Sequence, residues 1–318
     1  MSTAHASLPR FGRHFGDAVF FVLLGAAAIG LRQLSVSRPD VLPFVAPWDF
    51  EAVSFVSAWA ALWFYLRGLW LSAAAERPRL WRRLSFLSGL ALTYAVVQTR
   101  FDDMAQHMFF LNRAQHVVMH HLGPFLMVLG WPAETLMRAL PDPLRRLIGA
   151  RWLGRVVHAV QNPVLAAFLF VGLVALWLIP SVHFQAMINP RYYAAMNWTM
   201  IVDGLLFWSL VLDPRPKPPA RVSVFGRVLM VILIVPPQIL IGAIVVFSRR
   251  DLYDFYHWCG RLYPSIGPLI DQTYGGLIIW IPSAMMSLAG LFTVLNFARL
   301  SEKRAGAAAS SSSAVGGR

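Results

Sequence analysis

The residues of this chain that could do chemistry crowd into one stretch. Asp102-Asp103-Met104-Ala105-Gln106-His107-Met108 leads into Asn112-Arg113-Ala114-Gln115-His116-Val117-Val118-Met119-His120-His121, which places four of the nine histidines within fifteen residues. On a continuous α-helix, at about 100° per residue, His116 and His120 share a face and Met119 lies about 60° from His116. His121 then points away, and His107 sits on the opposite side. The shared face offers two imidazoles and a thioether with no carboxylate among them. That donor set suits copper, Cu(I) above all, better than Mg²⁺ or Ca²⁺, and zinc also fits.

Two further segments carry candidate donors. Ser181-Val182-His183-Phe184-Gln185-Ala186-Met187 sets His183 and Met187 four residues apart, and Tyr253-Asp254-Phe255-Tyr256-His257-Trp258-Cys259-Gly260-Arg261 puts a histidine two residues before the only cysteine. The candidate metal set is therefore His107, His116, His120, His121, His183, His257 and Cys259. Trp258, Tyr253 and Tyr256 read as aromatic residues of a membrane interface. With one cysteine there is no intrachain disulfide. The chain has no phosphate-cradling glycine loop, no C-x-x-C, no C-x-x-C-H and no nucleophile elbow, so it does not read as a hydrolase or kinase and is not expected to be an enzyme.

The elements that position these residues are membrane spans. Of 318 residues, 57% are hydrophobic and only 14% charged, and the apolar residues gather in runs long enough to cross a bilayer. The fold class expected is all-α, a polytopic helical membrane protein with about eight transmembrane helices over 18–34, 50–71, 84–101, 104–129, 162–180, 197–212, 228–247 and 273–298. Asn162-Pro163 reads as a cap followed by a first-turn proline, Asp49 and Glu51 as a helix start, and Pro236-Pro237 as a kink. No small-residue cleavage site follows the first apolar run, so that run reads as a retained span.

Counting basic residues in the connections orients the bundle. Nineteen lysines and arginines fall on the side of both termini and seven on the other, which places the first set in the cytoplasm, N-in and C-in. The net charge of +13 then reads as a topology signal and an attraction to anionic lipid, with no nucleic-acid partner implied. Three parts are expected: a cytoplasmic segment 1–17, a single helical bundle 18–298, and a disordered cytoplasmic tail 299–318 marked by Ser310–Ser313.

Depth in the membrane changes how the polar stretch is weighed. Paired histidines can serve as hydrogen-bond glue between helices, yet ionisable groups are costly there and point by default to metal or proton handling. Met104, Met108 and Met119 fit packing better than ligation. Arg113 has no carboxylate on its own helix nearer than Asp102 and Asp103, two to three turns away, which leaves Asp203 of the sixth span as its candidate partner.

Four ordered segments resemble a known family. Gln115-His116 with Leu122-Gly123-Pro124-Phe125-Leu126 and Gly130-Trp131-Pro132 is similar to the core motif of CtaG-type cytochrome c oxidase assembly factors of the proteobacterial branch. Met196-Asn197-Trp198 through Asp203-Gly204-Leu205-Leu206-Phe207-Trp208 and Leu212-Asp213-Pro214-Arg215 continues it, as do Leu252-Tyr253 through Cys259-Gly260-Arg261 and Asp271-Gln272 through Gly275-Gly276-Leu277-Ile278-Ile279-Trp280-Ile281-Pro282. The likeness covers roughly residues 50 to 298. It implies a multi-pass protein of the bacterial inner membrane that works with haem-copper oxidase subunits and assists delivery of Cu(I) to the oxidase CuA centre. Where many relatives carry histidines, this chain has Asn112 and Asn197. Three other readings stand beside copper delivery: a b-type haem carrier, a copper or small-solute transporter, and a metal-free assembly scaffold.

Overall fold

The computed structural model describes residues 10–316, with side chains from 16 to 303. Met1–Pro9 and Gly317–Arg318, parts of the two expected terminal segments, lie outside the described residues. Among the described residues there is no strand, and helices joined by turns and short irregular connections make up the structure.

Helix α1 (Arg10–Ser37) is tied to α2 (Ala52–Leu71) by a half-buried ion pair between Arg67 and Asp17, whose Oδ1 also accepts from Trp63 Nε1 at 3.0 Å. Glu51 caps α2, accepting from the amides of Val53 and Ser54 at 2.9 and 2.6 Å, as expected of a carboxylate at a helix start. Next come α3 (Leu80–Gln98), α4 (Arg100–His107) and α5 (Phe109–Val117), a π turn over Val118–Leu122, and α6 (Gly123–Leu129). Three short helices follow, α7 (Ala133–Ala139), α8 (Asp142–Ile148) and α9 (Arg151–Val160). Asn162 caps α10 (Pro163–Leu178), with Pro163 in its first turn. After α11 (Pro180–Ile188) and α12 (Pro190–Val211), α13 (Val224–Leu233) and α14 (Val235–Phe247) are separated by one residue just before Pro236-Pro237, where proline cannot supply the helix hydrogen bonds. The one-turn α15 (Phe255–Trp258) leads to α16 (Pro268–Gly316).

Among the described residues, five helical segments are long and apolar enough to cross a membrane: 16–37, 52–71, 190–211, 224–247 and 268–303. A sixth arises if α9 and α10, bent by 72° at their junction, are taken as one span. The expected third span is α3, whose apolar character is diluted by Arg82, Arg83, Ser85, Ser88 and Gln98. The expected fourth, 104–129, is not one helix. It breaks at Met108, which is extended (φ −144°, ψ 131°), and again at the π turn. The alanine-rich stretch after 299, expected to be disordered, continues α16 as far as Gly316, in keeping with the high helix propensity of alanine.

Four apolar clusters pack the described bundle, and two of them are much the larger. One, toward the end that carries α7–α9, gathers Trp208, Phe207, Phe170, Phe125 and Val211. The other, toward the end that carries α4, α11 and α15, gathers Phe109, Met187, Met196, Met200, Tyr253 and Tyr256. The polar residues of α5 and the π turn lie between and beside these clusters.

Candidate functional site

Both members of the expected histidine pair are buried, His116 at 5% exposure and His120 at 0%, so they look into the bundle. They nevertheless belong to different surroundings. The π turn takes more residues per revolution than an α-helix, so successive side chains are separated by less than 100°. It therefore swings His121 back beside His120, with Nδ1···Nδ1 at 3.3 Å. The sequence reading that sends His121 away is corrected by this turn.

His120, His121 and two neighbours form a closed chain of hydrogen bonds. Gln238 Nε2 of α14 lies 3.1 Å from His121 Nε2, and His120 Nε2 lies 2.9 Å from Asp203 Oδ2 of α12. One assignment satisfies all three contacts. Gln238 donates to His121 Nε2, His121 Nδ1–H donates to His120 Nδ1, and His120 Nε2–H donates to Asp203. Every ring nitrogen is then used, with both imidazoles neutral, while the Gln238 Oε1 at the end of the chain is buried without a partner. The His120 ring stacks on Phe170 at 4.1 Å, and Phe170 on Phe207 at 3.9 Å. Asp203 thus partners His120, which corrects its expected pairing with Arg113. Gly204 makes the arrangement possible, because a Cβ there would collide with the carbonyl of His120.

One turn nearer the α4 end the pattern reverses. Both ring nitrogens of His116 are buried without a hydrogen-bond partner, as are His183 Nδ1 and Asn197 Oδ1. His183, on α11, is held through Nε2 by the Tyr256 hydroxyl at 3.1 Å, and its ring packs edge-on to Phe109. His116 feels the charge of His183, the Asn197 amide lies against His116, and the Trp177 backbone lies near His183, each short of hydrogen-bond geometry at the unpaired ring nitrogens. Met187 Sδ, on the same helix as His183, is 4.0 Å from Asn112 Nδ2. In the sequence His183 and Met187 fall between the expected spans 162–180 and 197–212. The structure puts them on the buried face of α11, in side-chain contact with Asn112 and Phe109 of α5. Their four-residue spacing was the available signal, and the missing piece was that α11 folds inward.

Arg113 completes this nest. It is 2% exposed, bonds the side-chain oxygen of Asn112, and lies with its guanidinium 5.1 Å from the centre of the Phe109 ring. No carboxylate forms an ion pair with it among the described residues, and its charge acts on both His116 and His183.

A cavity of about 210 Å³ opens beside the nest, lined by Asp49, Glu51, Asp102, Met187 and Asn197. Asp102 belongs to α4, a short helix that is part of none of the five long apolar segments. It accepts from Tyr193 Oη at 2.7 Å and from Gln115, and Gln106 Nε2 reaches both Asp49 and Asp102, at 3.3 and 3.5 Å. Burial, with help from Asp49 and Asp103, pushes the Asp102 carboxyl up to about 7.

The remaining candidate donors are engaged elsewhere. His107 Nδ1 meets the Gly260 carbonyl at 3.0 Å and Cys259 Sγ donates to the Gln106 carbonyl at 3.3 Å, so together they clasp the α15 loop to α4. Burial raises the Cys259 thiol above its ordinary pKa, which keeps it protonated and a poor metal ligand in this arrangement. His257 turns to Asp251 at 2.6 Å. Among the described residues no group of three or more His, Cys, Asp or Glu side chains converges as a metal site. The nest offers two imidazoles and a thioether instead.

Other motif residues hold the frame. Asp271 accepts from the amides of Phe109 and Phe110 at 3.1 and 2.8 Å, capping α5, and pairs with Arg261 at 2.7 Å. Gln272 accepts from Leu252 N at 2.8 Å and donates to the Val245 carbonyl at 3.1 Å. At the far end Asp213 binds Arg215 through both oxygens, at 2.9 and 2.8 Å, and the Arg215 guanidinium lies over Trp131. That ion pair holds the Asp213 carboxyl below its usual range against the effect of burial.

Comparison with known proteins places these features in a wider set. The family described as cytochrome c oxidase caa3 assembly factor matches residues 63–300. Uncharacterized proteins of Mycobacterium bovis and Mycobacterium tuberculosis are each 24% identical over 261 residues, and one of Mycobacterium leprae is 22% identical over 265. In each case the alignment covers 76% of this chain and 38% of the relative, so the chain spans about two fifths of the length of these relatives. No solved structure matches.

Proposed function

We infer the function from one premise: the chain belongs to the cytochrome c oxidase caa3 assembly factor family. We propose that it acts in a bacterial inner membrane, with about eight spans and both termini in the cytoplasm, as a non-catalytic assembly factor that hands Cu(I) to a haem-copper oxidase bound for its CuA centre. α3, the broken α5–α6 segment and α10 supply the spans beyond the five long ones. The observation that carries the copper reading is the set of unpartnered buried nitrogens on His116 and His183 beside the Met187 thioether. Buried polar atoms are almost always paired, and a cluster of exceptions calls for a ligand.

Copper is cargo here. The carboxylates of Asp49, Glu51 and Asp102 lend the adjoining cavity a negative potential that draws a cation toward Met187 and Asn197. His116 and His183 then donate lone pairs, with thioether support, as suits a soft monovalent ion. Release is ligand exchange with the oxidase subunit, and the copper stays Cu(I) throughout. The uncompensated charge of Arg113 opposes the ion, which keeps binding weak enough for hand-over.

A His116→Ala, His183→Ala double variant, loaded with Cu(I) anaerobically in detergent, tests the site. The expected result is loss of most bound copper, while His120→Ala retains it. Equal copper content in all three proteins removes the proposal.

A metal-free scaffold is the second reading. The structural use of Asp271, Gln272 and Asp213 favours it, as does the lack of a three-member metal cluster among the described residues. Oxidase assembled normally in a strain carrying the double variant would select it.

A further inference from the structure

The segment 142–160 leaves both of its helices open on the surface of the described bundle. No residue of α8 or α9 is buried. In α9, Trp152, Leu153, Val156, Val157 and Val160 fall on one face at positions i, i+1, i+4, i+5 and i+8, while Arg151, Arg155 and His158 take the other. Trp152 is 56% exposed and Val156 52%. In α8, Leu144, Leu147 and Ile148 repeat the pattern at i, i+3 and i+4 and are 39%, 50% and 48% exposed, beside Arg145 and Arg146. Asp142 is the single acidic residue of the stretch. A water-facing helix pair would not keep an apolar stripe of this kind uncovered.

The direction of α9 says what covers it. It meets α10 at 72°. If α10 runs along the bundle axis, α9 lies nearly across it, in the plane where a bilayer surface would be. An amphipathic, arginine-bearing helix in that plane buries its apolar face at the boundary of headgroups and acyl chains and sets its cations against anionic lipid.

We propose that α8 and α9 form an interfacial element whose partner is an anionic phospholipid surface, with Trp152, Val156, Leu147 and Ile148 inserted and Arg145, Arg146, Arg151 and Arg155 at the headgroups. The element anchors the end of the bundle opposite the copper nest. It does not depend on whether copper binds there.

The test places an environment-sensitive fluorophore at Trp152→Cys, or at His158→Cys on the opposite face, in a Cys259→Ser background. The full chain is reconstituted in nanodiscs of phosphatidylcholine alone or mixed with phosphatidylglycerol. In the mixed discs the Trp152 position should emit at shorter wavelength and be quenched by lipid-borne quencher, while the His158 position stays solvent-like. Changing the four arginines to glutamine should reduce that quenching severalfold, toward the level in phosphatidylcholine. Each substitution in α8 and α9 lies at an exposed position, and circular dichroism checks that the helices persist, with the Cys259→Ser chain as the reference. Solvent-like emission at both positions in mixed discs overturns the proposal, and equal quenching in both lipids overturns its anionic part. Shielding of Trp152 only after a purified haem-copper oxidase is added, or only with more than one chain per disc, makes the face a protein interface and overturns it as well.

Discussion

His116 and His120 stand one turn apart, yet they are opposites. Every ring nitrogen around His120 has a partner, in a chain that links α12, the π turn and α14. Both nitrogens of His116 have none, and neither do His183 Nδ1 and Asn197 Oδ1 beside it. A satisfied network specifies a packing arrangement, whereas unsatisfied buried donors and acceptors mark a place kept for something else. The difference teaches that the number of histidines in a membrane helix does not locate a site; which of them lack partners does.

The largest expected effects break the satisfied region. Gly204→Ala drives a methyl group into the His120 carbonyl, so the π turn must move away from α12 and the relay must open. We expect a loss of about 3 kcal/mol, the upper range for overpacking, read as reversible unfolding in mixed micelles. Asp203→Ala removes the acceptor for His120 and strands a buried N–H. Hydrogen bonds between membrane helices are worth less than their burial suggests, so about 2 kcal/mol is expected. Neither change should lower copper bound per folded protein. A drop in copper equal to that of the His116→Ala, His183→Ala pair would erase the distinction between the two regions.

The unsatisfied region responds in the other direction. Arg113→Gln removes a buried cation that faces both His116 and His183, so Cu(I) should be held roughly tenfold more tightly, equivalent to about 1.4 kcal/mol of relieved repulsion. Competition with a chelator of known affinity measures it. Tighter binding should also slow release to the oxidase. Unchanged affinity would mean that no cation sits near the guanidinium.

Much of the frame was legible in the sequence because it rests on local chemistry. Glu51 and Asn162 cap helices as their positions announce, and Pro236-Pro237 breaks the chain where proline must. The apolar runs mark helices, five of them long enough to span a membrane. The site was half legible. His116, His183 and Met187 were singled out, but their convergence depends on how α11 packs against α5, which no periodicity within one helix reports. The pairing of His120 with His121 was invisible for a related reason. A π turn changes the period in the middle of the pattern, so a fixed 100° per residue sends His121 to the wrong side. Asn197 carried no chemical signal of its own, and only its position beside His116 makes it part of the nest.

The smallest effect on copper lies at the mouth of the unsatisfied region and depends on pH. Burial holds the Asp102 carboxyl at about 7, with the charges of Asp49 and Asp103 adding to the rise and bonds from Tyr193 and Gln115 opposing it. The fold therefore favours the protonated form. Its contribution to stability is greatest below the unfolded-state value of about 4, declines as pH rises toward about 7, and is constant above that. The cavity gains a negative charge over the upper part of this window, so cation capture should quicken as pH rises through about 7. Asp102→Asn keeps the shape and removes the charge. It should abolish the severalfold rise in Cu(I) association rate between about pH 6 and 8, and flatten the decline in stability between about pH 4 and 7, while leaving the copper content at saturation unchanged. Stopped-flow loading at two ionic strengths separates the two causes of a slower rate, because an electrostatic effect weakens with salt and a steric one does not. A rate that keeps its pH dependence in the variant would assign the titration to another group and leave the carboxylates of the cavity no part in admitting the ion.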